Sequence, residues 1–339
     1  MLEEKIEIII PTFNRANYLN DTLNYLLNSP FKDCKITIRD NASIDETPKI
    51  CEKFLNLFSN LHIIRNKKNI GGCANVLRSY EKATYPYVWV IGDNDYLNFD
   101  RCDDFIEAIE SEEYDLIICN SALYKSKDSP NFFPTVDDEP ISEYIKREKE
   151  NNQNYLENTT QELASIIKRH YFMIGGFISS TVYRTSLVDA EILILGSNYI
   201  NRSYPHFALV AKALNKNLLT YKTKNDVVFL RDNPDDSEIN GFQWFARYLD
   251  CVPLIEDKQL RSYAEEHGGS KLYYEIPARI VYAKGKSEPD MKNDVLNIIK
   301  TMYCLRGWGK GFLYQIYILL IYFCIPSKLC EYYVKKREK

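Results

Sequence analysis

The sequence lacks features that would have marked it as one of several common protein classes. It has nine cysteines but no Cys-x-x-Cys pair, and most cysteines lie within apolar runs. We therefore expect reduced core residues, with neither a zinc site nor a disulfide framework. There is no excess of positive charge: 43 Lys and Arg against 47 Asp and Glu give a net charge of −4, so a nucleic-acid partner is not expected. The acidic start at Glu3 and Glu4, before a short apolar run that ends at Pro11, predicts no signal peptide.

Short β-branched runs alternate with helical patterns from residue 5 to about 120, as in a parallel sheet with crossover helices. Ser43, before Asp45 and Pro48, is expected to cap the second helix. Ligands of such sheets gather beyond the carboxyl ends of the strands. The predicted strands are 6–10, 35–39, 61–65, 87–91 and 114–119, the predicted helices are 15–29, 45–58, 72–84 and 100–110, and the loops 11–15, 40–43, 66–72 and 92–95 should share one edge.

Regular patterning stops over residues 125–160, which are polar and rich in proline and predict a loop or an active-site elaboration. It resumes with a predicted helix at 161–170, a turn into a strand at 175–184, a helix at 203–216 and a strand at 227–230. Beyond residue 240 the periodicity is helical, which places a domain boundary near 235.

The C-terminus contains an apolar core of 14 residues, 312–325, which is too short to span a membrane comfortably. Several tyrosines lie within and after it, and basic residues follow, so the segment 312–333 is predicted to lie in a membrane interface. The alternative is a buried terminal helix with a solvated basic tail. The expected location is cytoplasmic, with peripheral contact at the inner face of the membrane.

Two carboxylates follow the predicted strand 87–91 in the segment Gly92-Asp93-Asn94-Asp95. Hard divalent cations prefer oxygen ligands and readily share them with phosphates, so carboxylates at a strand end suit a metal–diphosphate site. The alternative is an ordinary turn, since Asp and Asn are favoured there.

Four segments in order carry a family resemblance over residues 5–120. They are Pro11-Thr12-Phe13-Asn14-Arg15, Asp40-Asn41-Ala42-Ser43-Ile44-Asp45-Glu46-Thr47, Asn69-Ile70-Gly71-Gly72 and the acidic segment at 93–95. Together they resemble the family-2 glycosyltransferases of the GT-A fold, of the type that builds bacterial surface polysaccharides. Asn41 and Ala42 depart from the family pattern, which has Asp-Gly there.

The resemblance implies an α/β GT-A nucleotide-diphospho-sugar transferase domain over 1–235, with a donor half (1–120) and an acceptor half (160–235), and a helical region over 236–339. It implies that Asp40 contacts the base, that Asp93 serves the ribose and metal region, and that Asp95 ligates Mn²⁺ or Mg²⁺ and is catalytic. A carboxylate accepts from uracil or thymine N3–H, or from the cytosine amine, so Asp40 argues for a pyrimidine. The alternatives are a helix cap for Asp40 and a solvated charge for Arg15. The other implied donor-binding residues are Pro11, Thr12, Asn14, Arg15, Asn69, Gly71 and Asn94.

On the acceptor side, an inverting transferase needs a base for the incoming hydroxyl. The family usually supplies an Asp after the central sheet, where this sequence has His206, which we favour over Asp189 or Asp226. A purely structural histidine is the alternative. Gly176 and Phe177 are expected to form the acceptor floor, with an ordinary hairpin as the alternative.

The predicted activity is metal-dependent transfer of a sugar from a nucleoside diphosphate sugar, of the UDP type, to a saccharide or lipid-linked saccharide, with inversion. It would serve capsule or lipopolysaccharide synthesis. A metal-dependent nucleotidyltransferase and a noncatalytic saccharide-binding protein remain as alternatives; the first usually opens with a glycine-rich basic segment, which this sequence lacks.

Overall fold

A computed structural model describes residues 1–81, 83–99, 102–124, 160–162, 178–200, 204–216, 218–231, 250–258, 261, 277–278, 280–287, 291–306 and 310–337. The strands are β1 (Ile6–Thr12), β2 (Lys35–Asp40), β3 (Leu61–Arg65), β4 (Tyr87–Val90), β5 (Tyr96–Leu97), β6 (Leu116–Tyr124), β7 (Thr160–Glu162), β8 (Thr181–Arg184) and β9 (Leu219–Arg231). The helices are α1 (Ala16–Leu27), α2 (Thr47–Leu55), α3 (Gly72–Ser79), α4 (Asp103–Ser111), α5 (Ala190–Ser197), α6 (Phe207–Lys216), α7 (Met291–Arg306), α8 (Lys310–Cys324) and α9 (Ser327–Arg337).

One mixed sheet organises these elements, in the order β3-β2-β1-β4-β8-β6-β9-β5, with β7 paired to β9. The first four strands are parallel, β8 is antiparallel to both β4 and β6, and β6 runs parallel to β9. The predicted parallel sheet with crossover helices is therefore confirmed for the N-terminal half. The antiparallel β8 lies between β4 and β6. It therefore brings residues that are far from β4 in the sequence next to β4 in the sheet.

Alternating residues of the central strands supply two cores, one on each face of the sheet. Ile8 and Trp89 belong to one cluster, whereas Ile9, Val88 and Val90 belong to the other. A parallel sheet is buried on both faces, which explains why its strands read as continuous apolar runs rather than as alternating ones.

The strand register aligns polar residues at the carboxyl ends. Thr12 pairs with Asp40, and Asp40 pairs with Arg65, across three parallel strands. On the other side Ile9 pairs with Val90, and continuing that register brings Thr12 level with Asp93. We call Asp93, Thr12, Asp40 and Arg65 the polar row.

Several predicted features differ from the structure. Ser43 does not cap the second helix: α2 begins at Thr47, and the Ser43 hydroxyl instead accepts from the Asn14 amide at 2.9 Å. The strand predicted at 227–230 is the end of a longer one, β9. The predicted helix at 203–216 begins at Phe207 in the structure. The predicted helix at 161–170 is wrong at its start, because residues 161 and 162 belong to β7, where they pair with β9; residues 163–170 lie outside the described residues. Most of the predicted loop at 125–160 and the boundary near 235 also lie outside them.

The C-terminal helices form a third apolar cluster that includes Val295 and Ile298 of α7 and Ile318 of α8. Among the described residues, no helix alone has the length and apolarity to cross a membrane. Segments Gln315–Cys324 and Ser327–Lys336, which meet at an angle of 92°, reach that length and composition only when taken together.

Candidate active site

Asp93 lies just beyond β4 and is held from both oxygens. The Thr12 hydroxyl donates to Oδ2 at 2.7 Å, and the Arg15 guanidinium donates to Oδ1 at 3.2 Å. The Thr22 hydroxyl of α1 donates to the Asp93 carbonyl at 2.9 Å, which fixes the backbone as well. Strand β1 and the start of α1 therefore lock this carboxylate in place.

Burial dominates the electrostatics of Asp93, which is only 5% exposed. Loss of water raises the pKa of this carboxyl, and the Arg15 charge together with the Thr12 hydrogen bond offsets the shift only in part. Because Asp93 is already balanced by a cation, it is suited to orienting a neighbour or accepting a hydroxyl.

Asp95, two residues later, is half-buried and is held by a neutral group. Its Oδ2 accepts from the Ser179 hydroxyl, which in turn accepts from the Gly92 amide at 2.7 Å. A Cβ on Gly92 would lie 2.7 Å from the same Oδ2, so glycine makes room for the carboxylate. The Ser179 carbonyl accepts from the Trp89 indole at 2.8 Å, so β4 fixes Ser179 directly.

Asp40, at the end of β2, is almost fully buried and is also held from both oxygens. The Ser43 amide donates to Oδ1 at 2.8 Å, and Arg65 lies 3.2 Å from Oδ2. Arg65 also donates to the Ser43 carbonyl at 2.6 Å. Arg65 is not among the predicted site residues, although it is the last residue of the predicted strand 61–65, which pairs with the strand that ends at Asp40.

An asparagine network joins the ends of β2 and β3 to α3. The side-chain Oδ1 of Asn41 accepts from the Asn66 side chain at 2.9 Å and from the Ile70 backbone amide at 3.0 Å, while its Nδ2 donates to Asn69 Oδ1 at 2.8 Å. Gly71 has φ of 87°, which explains the need for glycine before α3. A Cβ on Gly71 would meet nothing within 4 Å, so the space beside this loop is open to a ligand.

The loops after β1 and β2 are joined by reciprocal hydrogen bonds. Asn14 donates from its backbone to Ser43, and its side chain accepts from the Ile44 amide at 2.8 Å. Asp45 accepts from the backbone amides of Thr47 and Ala16. Burial raises the pKa of Asp45, but the hydrogen bond from the Thr47 hydroxyl and those from the backbone amides outweigh it, so the net shift of the pKa is downward. With the Thr12–Asp93 and Asn41–Asn69 contacts, the four predicted loops do meet at one edge.

The structure describes only some of the residues predicted to act on the acceptor side. His206 is 4% exposed just before α6, and its ring centroid lies 5.7 Å from that of Tyr204. Tyr204 and Phe207, on either side of it, pack in the cluster that contains Val88 and Val90 of β4. Asp189 caps α5 through the Ile192 amide and pairs with Lys212, so it already has a structural role. Gly176, Phe177 and the Asp226 side chain lie outside the described residues.

The donor chemistry of Asp93 and Asp95 fits a hard divalent cation. Among the described residues, no three acidic, histidine or cysteine side chains come together as a ready-made metal site. Mg²⁺ usually binds one or two carboxylates and completes its shell with water and substrate phosphates, and Mn²⁺ favours the same oxygen ligands. Asp95 Oδ2 accepts from the Ser179 hydroxyl, whereas Asp93 is paired with Arg15.

Comparisons with known proteins agree on one family. Residues 7–173 match the model of glycosyl transferase family 2. The chain is 29% identical over 250 residues to the abequosyltransferase RfbV of Salmonella typhimurium, which covers 70% of this chain and 69% of that protein. A structure of Staphylococcus aureus TarS 1–349 with UDP-GlcNAc matches with a TM-score of 0.58 at 16% identity, over 89% of this chain and 81% of that one. A mannosyltransferase of Pyrobaculum calidifontis, in complex with GDP-Man and Mn²⁺, matches with a TM-score of 0.51 at 10% identity, over 98% and 83%.

Proposed function

Because the chain is a family-2 glycosyltransferase with the GT-A fold, we propose that it transfers a sugar from a UDP-type donor to a saccharide or lipid-linked saccharide, with inversion. The single observation that carries this proposal is the polar row. It places a hydroxyl, two carboxylates and a guanidinium at the carboxyl ends of four neighbouring parallel strands, where ligands of such sheets bind.

The nucleotide would lie across the polar row, with its base at the Asp40 end. Asp40 has partners on both oxygens, but a carboxylate has about four lone-pair sites and can accept a further hydrogen bond from a pyrimidine. Arg65 orients this carboxylate through its ion pair. The TarS structure with UDP-GlcNAc, which shares the fold, supports a uridine nucleotide.

The diphosphate would lie at the other end, near Asp95. Asp95 would hold the divalent cation, which, when bound, neutralises the negative charge of the leaving diphosphate. Asp93 would accept from the ribose while it keeps Arg15 in place. The open space beside Gly71 would allow the donor to approach the protein backbone at the start of α3.

His206 would remove the proton from the acceptor hydroxyl as it attacks the anomeric carbon. Its support is positional: Tyr204 and Phe207 belong to the same apolar cluster as Val88 and Val90 of β4, the strand that leads into the acidic segment, and Asp189 is already engaged elsewhere. Replacing His206 by alanine should lower turnover about 10²- to 10⁴-fold with the donor KM nearly unchanged. A variant that keeps most of its turnover would assign the base to a carboxylate.

The acceptor assignment rests on the relatives. The names abequosyltransferase and poly(ribitol-phosphate) β-N-acetylglucosaminyltransferase both describe transfer of a sugar, in the second case to a polymer. We extend this to the present chain as a role in surface polysaccharide synthesis.

The test is release of nucleotide from a panel of UDP-, GDP- and dTDP-sugars, with Mn²⁺, with Mg²⁺ or with EDTA. We expect slow metal-dependent hydrolysis of one UDP-sugar and its acceleration by a saccharide acceptor. Release of diphosphate from a nucleoside triphosphate and a sugar phosphate would instead identify a nucleotidyltransferase. Binding of a saccharide with no turnover of any donor would identify a noncatalytic binding protein.

A further inference from the structure

Among the described residues, the buried side chains of the helix pair α8–α9 lie on one face of each helix. Ile318 and Gln315 of α8 and Cys330 and Val334 of α9 are buried. The Gln315 amide donates to the Ile299 carbonyl of α7 at 3.2 Å, and Lys284 donates to the carbonyls of Tyr322 and Ile325, where the pair bends. This inner face holds the pair in a fixed position, as the packed-helix alternative expected.

The opposite face of the pair is apolar and exposed, which that alternative does not explain. Its α8 residues follow the spacing i, i+3, i+4, i+7 and i+10, and its α9 residues follow i, i+3 and i+4. Leu313 is 69% exposed, Phe323 67% and Tyr332 65%. The outer face consists of Leu313, Ile316, Tyr317, Leu320, Phe323, Leu329, Tyr332 and Tyr333. An exposed apolar surface of this extent marks an interaction site.

Cations accompany the outer face. Lys328, Lys335 and Lys336 of α9 are exposed, and the sequence continues with Arg337 and Lys339. Glu331 is the acidic residue within this helix, and it is half-buried. The surface therefore combines aliphatic side chains, tyrosine rings and positive charge. Membrane-surface helices combine the same features, with apolar groups in the acyl boundary, aromatic rings at the headgroups and lysines near anionic phosphates.

We propose that the outer face of α8–α9 docks this protein on an anionic lipid bilayer without spanning it. Charge complementarity selects this occupant. In a two-fold dimer the lysines of one copy would approach those of the other, and the cores of protein interfaces are depleted of lysine. The 92° bend and the buried inner face argue against a span, because a spanning pair would have to leave the apolar cluster around Ile318. This proposal does not depend on the donor, the acceptor or catalysis.

The test is flotation of the full-length chain with preformed vesicles. Equal parts of phosphatidylcholine and phosphatidylglycerol provide the anionic surface, and phosphatidylcholine alone provides the neutral control. We expect flotation with anionic vesicles, and its loss in 1 M salt, where the Debye length falls to about 3 Å. The double variant Leu320→Glu/Phe323→Glu should bind at least about ten-fold more weakly, since it removes two large apolar contacts. Lys335→Glu/Lys336→Glu should lose at least about five-fold in binding per lysine, because each change removes one attracted charge and adds a repelled one.

Matched controls separate the surface from the chemistry of the substitutions. Ile194 of α5 is 66% exposed, so Ile194→Glu places the same charge on an exposed apolar residue outside the helix pair. Lys32 is an exposed lysine near β2, so Lys32→Glu controls for the lysine changes. Neither should change flotation, and all variants should keep the wild-type unfolding temperature, because each altered side chain points away from the core.

Four results would overturn the proposal. The first is absence of flotation with anionic vesicles, and the second is flotation that the Leu320→Glu/Phe323→Glu change leaves intact. The third is an oligomer, measured by light scattering, that this variant dissociates while vesicles bind neither form; the outer face would then join two copies. The fourth is flotation that resists both 1 M salt and alkaline carbonate and yields only to detergent, which would indicate an inserted span.

Discussion

The two ends of the polar row are built from different chemistry. At the β1/β4 end, charged groups lie close together: Asp93 is paired with Arg15, and Asp95 follows two residues later. At the β2/β3 end, one charge pair, Asp40 with Arg65, is joined to a network of neutral asparagine side chains. The β1/β4 end places two carboxylates, the buried Asp93 and the half-buried Asp95, close together in the sequence. The β2/β3 end holds the loops after β2 and β3 together through side-chain hydrogen bonds.

This difference assigns the two ends different tasks in our proposal. A cation and the charge that develops on a leaving diphosphate require carboxylates, as at the β1/β4 end. Recognition of a base requires rigid donors and acceptors in fixed directions, as at the β2/β3 end. Changes at the first end should therefore lower turnover and metal affinity, and changes at the second end should raise the donor KM.

Asp95→Asn should have the largest effect on this comparison. The amide keeps the shape and can still accept from Ser179, but it is a weaker ligand for a hard cation, so turnover should fall about 10²- to 10³-fold. Turnover is measured as UDP release at saturating Mn²⁺, with Asp33→Asn, at an exposed position, as the control. Wild-type turnover in the Asp95→Asn variant would show that Asp95 does not hold the divalent cation.

Asp40→Ala should come next and should act on binding. Loss of one hydrogen bond to a charged group costs about 1.5–3 kcal/mol, which corresponds to an increase in donor KM of about 10- to 150-fold. The fold should tolerate the change, because the Arg65 side chain left behind is 47% exposed and can be solvated. The measurement compares two inhibition constants for sugar transfer, that of UDP, which carries the base, and that of inorganic diphosphate, which does not. The inhibition constant of UDP should rise, and that of inorganic diphosphate should stay the same. An unchanged inhibition constant of UDP would mean that Asp40 only stabilises the turn at Ser43 and does not contact the base.

Ser179→Ala should have a smaller effect at the β1/β4 end. Ser179 is a positioning residue, since it holds Asp95 against the Gly92 amide, and removing its hydroxyl should raise the Mn²⁺ concentration needed for half-maximal turnover about 2- to 10-fold. Ser29→Ala is a matched control, because Ser29 is also buried, donates to Leu26 and accepts from Phe31. Equal Mn²⁺ requirements in the two variants would reduce Ser179 to a structural role.

At both ends of the polar row, the sequence predicted the site residues better than the contacts between them, for a physical reason. Strand ends and acidic pairs are local features, so the loops that meet at the edge of the sheet could be inferred from periodicity and parallel topology. The Asp40–Arg65 pair depends on which strands are neighbours, and the Ser179–Asp95 bond depends on β8 entering the sheet antiparallel, some 84 residues after Asp95. The pattern at 175–184 predicts a turn into a strand, but it carries no signal for the position of that strand in the sheet.

Backbone strain at the β2/β3 end gives the smallest expected effect. Ala42 has φ of 64°, in the left-handed region where an L-residue pays about 1–2 kcal/mol, and it occupies a position where the family pattern has glycine. Ala42→Gly removes that cost but adds about 0.5–1 kcal/mol of backbone entropy, so the free energy of unfolding should rise by up to about 1.5 kcal/mol. In contrast, Ala74→Gly, inside α3, should lower it by about 0.5–1 kcal/mol, because there glycine relieves no strain. Urea unfolding of both variants measures the two changes. A loss at Ala42 equal to that at Ala74 would mean that packing of the Ala42 methyl, rather than its backbone conformation, governs this turn.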